Sequence, residues 1–330
     1  MRPEKRGGRK RKIETMPQLV ENFHAVLQDH TAGSPVAAEV IWTDLTAADI
    51  AAHLEACGTP VSVHIVEQLL DEQAYHRRKA QKDLPLDQHK DRDAQFQIIA
   101  RLKQEYLASG NPLLSIDTKK RELLGTFYRS GRLLTTAAQR AFDHDFPSYA
   151  DGVVIPHGIY DPRLNRGYLH LGTSHDTSAF ACDCLEDWWW RFGQGLYPDA
   201  QSLLLLCDGG GSNSANTYLF KADLQQWANR TGLEVRVAHY PPYTSKYNPI
   251  EHRLFCHVSR ACQGVLFTSL GLVKQLMAKT RTRTGLRVVV DVVDKVYATG
   301  RKVAESVKKA LHLVRDRVLP KWNYRLLPQT

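Results

Sequence analysis

Three acidic residues stand where carboxylates could gather for metal chemistry: Asp117, Asp208 and Glu251. Asp117 closes the apolar run LLSID and Asp208 closes LLLLCD, so each carboxylate is expected to emerge at the end of a buried strand. Glu251 lies in YPPYTSKYNPIEHRLF. Pro249 suits a first helical turn, and a side chain two residues on would lean back toward the strand ends. Carboxylates are the ligands that hard divalent ions such as magnesium require. Two such ions roughly 4 Å apart supply what phosphodiester cleavage needs, a strong nucleophile and a stabilised leaving oxygen. Taken singly, each acid has an ordinary explanation as a turn cap or a helix-dipole partner. Their order along the chain, each within a longer motif, is what points to a shared site.

The elements that must position them alternate strand and helix after Gly110. LLSID, ELLGTFY and GYLHLGT read as three strands, followed by a helix over about Thr177 to Phe192. SLLLLCD is a further strand, with a helix over Ala215 to Thr231, the strand LEVRVAHY and a helix from near Pro249. This order predicts an α/β domain over residues 110–273 with a ribonuclease H-like arrangement and ligands at the carboxyl ends of the strands.

Ahead of it, apolar residues Leu19, Val20, Phe23, Val26 and Leu27 fall at helical spacing. A helix-turn-helix pair is expected next: Thr46 caps a helix through about Ala56, Gly58 to Pro60 make the turn, and Ser62 caps a second helix burying Val63, Val66 and Leu70. Such a second helix would present His64, Glu67 and Gln68 to bases in the major groove. The chain thus divides into a basic arm (1–15), a helix-turn-helix region (16–80), a linker and helix (81–109), the α/β domain (110–273) and a basic C-terminal extension (274–330).

Charge follows the same division. The formal net charge is +9, with +5 in residues 1–15 and +10 in residues 274–325, so the remainder sums to about −6. Basic ends around an acidic centre suit a protein that grips a polyanion while holding cations in its middle. No run approaches a membrane span and no apolar segment follows the charged start, so a cytoplasmic location is expected, nucleoid-associated if the source is bacterial. Six scattered cysteines lack zinc-ligand spacing, and reduced thiols are expected.

The segments LLSIDTKKRELLG, LLLLCDGGGSN and YPPYTSKYNPIEHRLF resemble the three catalytic blocks of the mariner-like DDE transposases, in particular the ISAzo-type (Rhodopirellula-type) insertion-sequence branch. HGIYDPRLNRGYLHLGTSHDTSAFA, WWWRFG, TRTGL and WNY resemble the same branch, so the likeness runs from about Asp93 to the C-terminus. It implies that Asp117, Asp208 and Glu251 bind two magnesium or manganese ions, the two Asp bridging them and Glu251 completing the site. The activity implied is hydrolysis at the ends of a mobile element, then attack of the freed 3′-hydroxyl on target DNA. Partners would be double-stranded DNA, as terminal inverted repeats and target, and further copies of the chain in a homodimer or larger synaptic complex.

Supporting roles fall on Gly209 to Gly211, which would let backbone pass close to DNA or metal, on Asn213, which could orient a ligand or water, and on His175 and Asp176 as an outer shell. Lys119, Lys120, Lys246 and Arg253 are placed to meet phosphates, and Arg281 and Arg283 belong to the basic C-terminal stretch. Family members usually carry more sequence ahead of this point, so part of the DNA-reading region is expected to be missing. Two other readings fit the same residues: a transposase-derived DNA-binding protein without relevant catalysis, and a structure-specific nuclease or resolvase on the same fold.

Overall fold

The computed structural model describes residues 15–33, 41–78 and 89–329, and the chain divides into compact units over Met1–Leu84 and Pro85–Thr330. Residues 1–14 of the expected arm (1–15), residues 34–40 and 79–80 of the expected helix-turn-helix region and the first part, 81–88, of the expected linker and helix lie outside the described residues. Among the described residues no helix is long and apolar enough to cross a membrane.

In the first unit, helix α1 (Gln18–Asp29) buries Leu19, Phe23, Val26 and Leu27 on one face, at the spacing its sequence dictates. A short antiparallel pair, β1 (Thr31–Gly33) and β2 (Ile41–Thr43), precedes helix α2 (Ala47–Ala56). Thr46 and Asp49 form a reciprocal capping box there, Asp49 N–H donating to Thr46 Oγ1 at 3.2 Å and Thr46 N–H to Asp49 Oδ2 at 2.9 Å. Gly58, with φ +79°, supplies the left-handed turn after α2. Helix α3 (Val63–Glu72) departs from expectation in two ways: Ser62 makes no side-chain cap, and Val63 is 41% exposed while Leu69 takes the buried place. Val63 opens its helix outside the packed face, which is formed by Ile65, Val66, Leu69 and Leu70. Leu70 is half-buried.

The second unit is built on a nine-stranded mixed sheet. Its strands are β3 (Leu113–Thr118), β4 (Glu122–Leu124), β5 (Gly152–Asp161), β6 (Arg166–Gly172), β7 (Ser202–Cys207), β8 (Glu234–His239), β9 (Arg287–Val293), β10 (Leu313–Arg315) and β11 (Asn323–Leu326). They run in the order β10-β11-β8-β7-β3-β5-β6-β9, with β4 paired to β5 alone. Strands β3, β7 and β8 are mutually parallel, and β5 returns antiparallel to β3.

Period-two alternation gives each sheet face its own cover. Leu114, Ile116, Leu203, Leu205, Val235 and Val237 pack with helices α5 (Ser178–Trp188) and α6 (Tyr218–Thr231). Leu113, Leu204, Leu206 and Ala238 pack against helix α4 (Arg92–Ser109), and Leu169 and Leu171 of β6 meet the segment around Ile250, Leu254 and Phe255.

Two expectations are corrected here. ELLGTFY contributes only the three residues of β4, and the second core strand is β5, whose Pro156, His157 and Gly158 obscured a strand pattern. Gly158 has a use: a Cβ there would meet the Phe255 ring at 2.6 Å, so only glycine lets the segment carrying Glu251 sit this low on the sheet. Residues 274–330, expected as an extension, instead supply β9, β10 and β11 to the same sheet.

Candidate active site

Strand register brings the first two acids together. Ile116 pairs with Cys207 across parallel β3 and β7, so Asp117 and Asp208, each the next residue, leave neighbouring strands at their carboxyl ends. Adjacent strands lie about 4.8 Å apart, close enough for two carboxylates to share a cation. Asp117 Oδ1 accepts the Thr118 N–H at 2.8 Å. Burial, then the charge of Asp208, then that of Glu251 push the Asp117 carboxyl up to about 8. Burial likewise raises Asp208, with Glu251 and Asp176 adding to the effect and the Gly210 N–H opposing it.

Glu251 opens a π-helical turn, Glu251–Phe255, leading into helix α7 (Cys256–Ala261). Its position is set by residues that carried no functional signal in the sequence. Ser115, on the same strand as Asp117, donates its hydroxyl to buried Asn248 Oδ1 and accepts the Ile250 N–H at 3.1 Å. Asn248 Nδ2 reaches Ile116 O at 3.4 Å, and Glu251 N–H donates to Asn248 O at 3.1 Å. The third acid is therefore tied to the strand of the first. The available hint was a serine interrupting an otherwise apolar run.

Outside the acids, Thr118 Oγ1 lies 3.0 Å from His157 Nδ1 and 3.1 Å from Asp176 Oδ1. Burial holds His157 down to about 3, so it is a neutral packing partner. Asp176 is thus brought to the site, while His175 is exposed beside it. Gly211 adopts φ +60°, a conformation that favours glycine, and Asn213 is buried with its Oδ1 lacking a hydrogen-bond partner.

Among the described residues, no group of three or more His, Cys, Asp and Glu side chains is arranged to hold a metal ion as it stands. The donor set nevertheless fits a hard divalent cation. Asp208 Oδ1 is buried without a hydrogen-bond partner, and no cationic side chain is among the main influences on Asp117 or Asp208. Clustered, desolvated carboxylates of this kind are costly unless a proton or a cation offsets them.

The family model of the Rhodopirellula transposase DDE domain matches residues 22–328. The chain belongs to this transposase family. The match begins within α1, so it takes in the helical first unit, well ahead of the likeness traced from Asp93. Among solved structures, this transposase-family chain is similar to a Mos1 transposase paired-end complex with left transposon end (16% identity, TM-score 0.43), the Mos1 strand transfer complex (16%, 0.42) and the Mos1 paired-end complex with Mg (17%, 0.44). Each alignment covers 83% of this chain and 72% of the other. No curated protein matches the sequence.

The cations of this transposase-family chain are placed unevenly. Lys119 is paired with Glu122, which Arg129 also contacts, so it is engaged within the protein where contact with phosphate was expected. Lys120, Lys246 and Arg253 are exposed, Lys246 with its ammonium 5.3 Å from the Tyr247 ring centre. Arg281 and Arg283 are exposed, Arg281 bridging Arg287 through backbone. In the first unit His64 is exposed and Gln68 half-buried, their side chains 3.2 Å apart.

Proposed function

We propose that this chain is a DNA transposase that cuts the ends of its element and joins them to target DNA, with Asp117, Asp208 and Glu251 as its catalytic acids. The observation that carries this reading is the emergence of Asp117 and Asp208 at the carboxyl ends of adjacent parallel strands, with the turn that opens at Glu251 tied to the strand of Asp117. The five strands β6-β5-β3-β7-β8 support a ribonuclease H-like core, three antiparallel strands continued by two parallel ones.

Two Mg2+ or Mn2+ ions held by the three acids would supply an activated nucleophile and a stabilised leaving oxygen. The chain's own residues do the rest. Asp117 and Asp208 present oxygens from backbone fixed by the sheet, and Glu251 adds a third from a turn anchored through Asn248 to Ser115. Gly209 to Gly211 leave room for a DNA backbone beside Asp208, and Asn213 offers an unpaired oxygen to a ligand or water. Lys120, Lys246 and Arg253, with Arg281 and Arg283, hold phosphates by charge. Helices α2 and α3 act as a helix-turn-helix that offers His64 and Gln68 to bases, and two copies or more bring the ends together, in the cytoplasm.

The test is incubation of the full chain with DNA bearing the inverted repeats that flank its gene, plus Mg2+. End cleavage followed by joining is expected. Binding without cleavage would favour a DNA-binding role, and cutting at branched structures without joining a nuclease.

A further inference from the structure

A buried polar network reaches the turn carrying Asp208 from the far end of the chain. His239, the last residue of β8, is fully buried, with Nδ1 3.0 Å from the backbone carbonyl of Asp208 and Nε2 3.1 Å from the Tyr324 hydroxyl on β11. A carbonyl can only accept, so the ring proton sits on Nδ1, and neutral Nε2 accepts the Tyr324 O–H. The backbone of His239 is fixed on both sides: its N–H donates to Trp322 O at 3.0 Å, and its carbonyl accepts Gln95 Nε2 at 2.8 Å. Gln95 and Asn323 exchange amide hydrogen bonds of 2.9 and 2.7 Å. Gln95, His239, Asn323 and Tyr324 all have no exposed surface. Polar groups this deep are costly unless fully paired, and a paired network fixes one geometry.

We infer that His239 is a positioning residue for Asp208, donating from Nδ1 to the Asp208 carbonyl in the tautomer that carbonyl requires and the Tyr324 O–H supports at Nε2, so that the C-terminal strand completes the site. The inference rests on Asp208 being one of the metal-holding acids. The carbonyl it grips belongs to the same residue whose Oδ1 is buried and unpaired, so orienting that backbone aims the carboxylate. Partners one step behind a metal ligand typically alter metal affinity about 10- to 100-fold when lost. Gln95 of α4 and Asn323 of β11 extend the support to both ends of the unit.

The experiment measures Mn2+ binding to the full chain by calorimetry for the native protein and for His239→Leu, His239→Asn, Tyr324→Phe and Asp208→Asn, with melting temperatures alongside. Asparagine can place an N–H where Nδ1 stood, whereas leucine fills the core better but donates nothing. Expected are losses of about 10- to 100-fold for His239→Leu, about tenfold for Tyr324→Phe and within about threefold for His239→Asn. In native protein, the 15N signals of His239 should report a proton on Nδ1. A residue that merely fills space predicts the opposite order, with leucine milder than asparagine. Native affinity in Tyr324→Phe, or a proton on Nε2, overturns the inference while Asp208→Asn still abolishes binding. Equal binding by Asp208→Asn and native protein, or no binding by native protein, overturns the metal-site reading and this inference with it.

Discussion

Asp117, Asp208 and Glu251 each reach the candidate site from backbone pinned by buried partners, whereas Lys120, Lys246 and Arg253 stand in solvent around it. The contrast follows from what each set would do. Holding a small divalent ion demands oxygens at fixed positions, so the sheet register, Asn248 and His239 are spent on the acids. Gripping phosphate needs charge more than geometry, and mobile exposed cations suffice. Lys119 shows the cost of mixing the two: in a half-buried place beside Asp117 it is neutralised by Glu122.

The contrast breaks first if the acids are dispensable. Asp208→Asn should lower end cleavage by at least about a thousandfold while leaving DNA binding unchanged in a mobility-shift titration, since the acids would act as a unit. Cleavage at the native rate would remove Asp208 from the site. Next in size is the anchor of the third acid. Asn248→Ala should slow cleavage by about 10- to 100-fold and cost about 1–3 kcal/mol in chemical denaturation, because Ser115 and the Ile250 N–H lose their buried arrangement. Retained cleavage in a destabilised variant would make Asn248 structural only.

The cations should respond in the other manner. Removing both Lys246 and Arg253 as alanines should flatten the log–log salt dependence of DNA affinity by about 0.9 for each lost phosphate contact, with stability unchanged. An unaltered slope would move the grip elsewhere.

A smaller effect links the acids to pH. Asp117 is raised from 3.8 to about 8, so its contribution to stability is fully present below 3.8 and is lost as pH rises through 8. Mg2+ competes with that proton. Its thermal stabilisation should therefore be near zero at pH 5 and amount to a few degrees at pH 8, about 1–2 kcal/mol of linkage. Equal shifts at both pH values would separate the ion from Asp117.

Much of this was legible in the sequence where local pattern and global fold agree. The apolar runs ending in Asp117 and Asp208 are strands because their residues are buried on both faces, and parallel pairing then makes the two acids neighbours. The strand β5 was not legible, since Pro156, His157 and a Gly158 that admits the close Phe255 ring break its pattern. Nor were β9, β10 and β11, where charged edge residues read as a basic tail until pairing with β6 and β8 placed them. Of the supports of the site, Ser115 gave only the hint of a serine in an apolar run, and Asn248, His239 and Tyr324 gave none, because hydrogen bonds across 85 to 135 residues leave no spacing to read.

Anomalous diffraction from crystals grown with Mn2+ tests the central claim most directly. A manganese peak should lie between the Asp117 and Asp208 carboxylates, with the Glu251 side chain turned to the same ion or its neighbour. Peaks only at positions remote from these residues, at millimolar Mn2+, would contradict it.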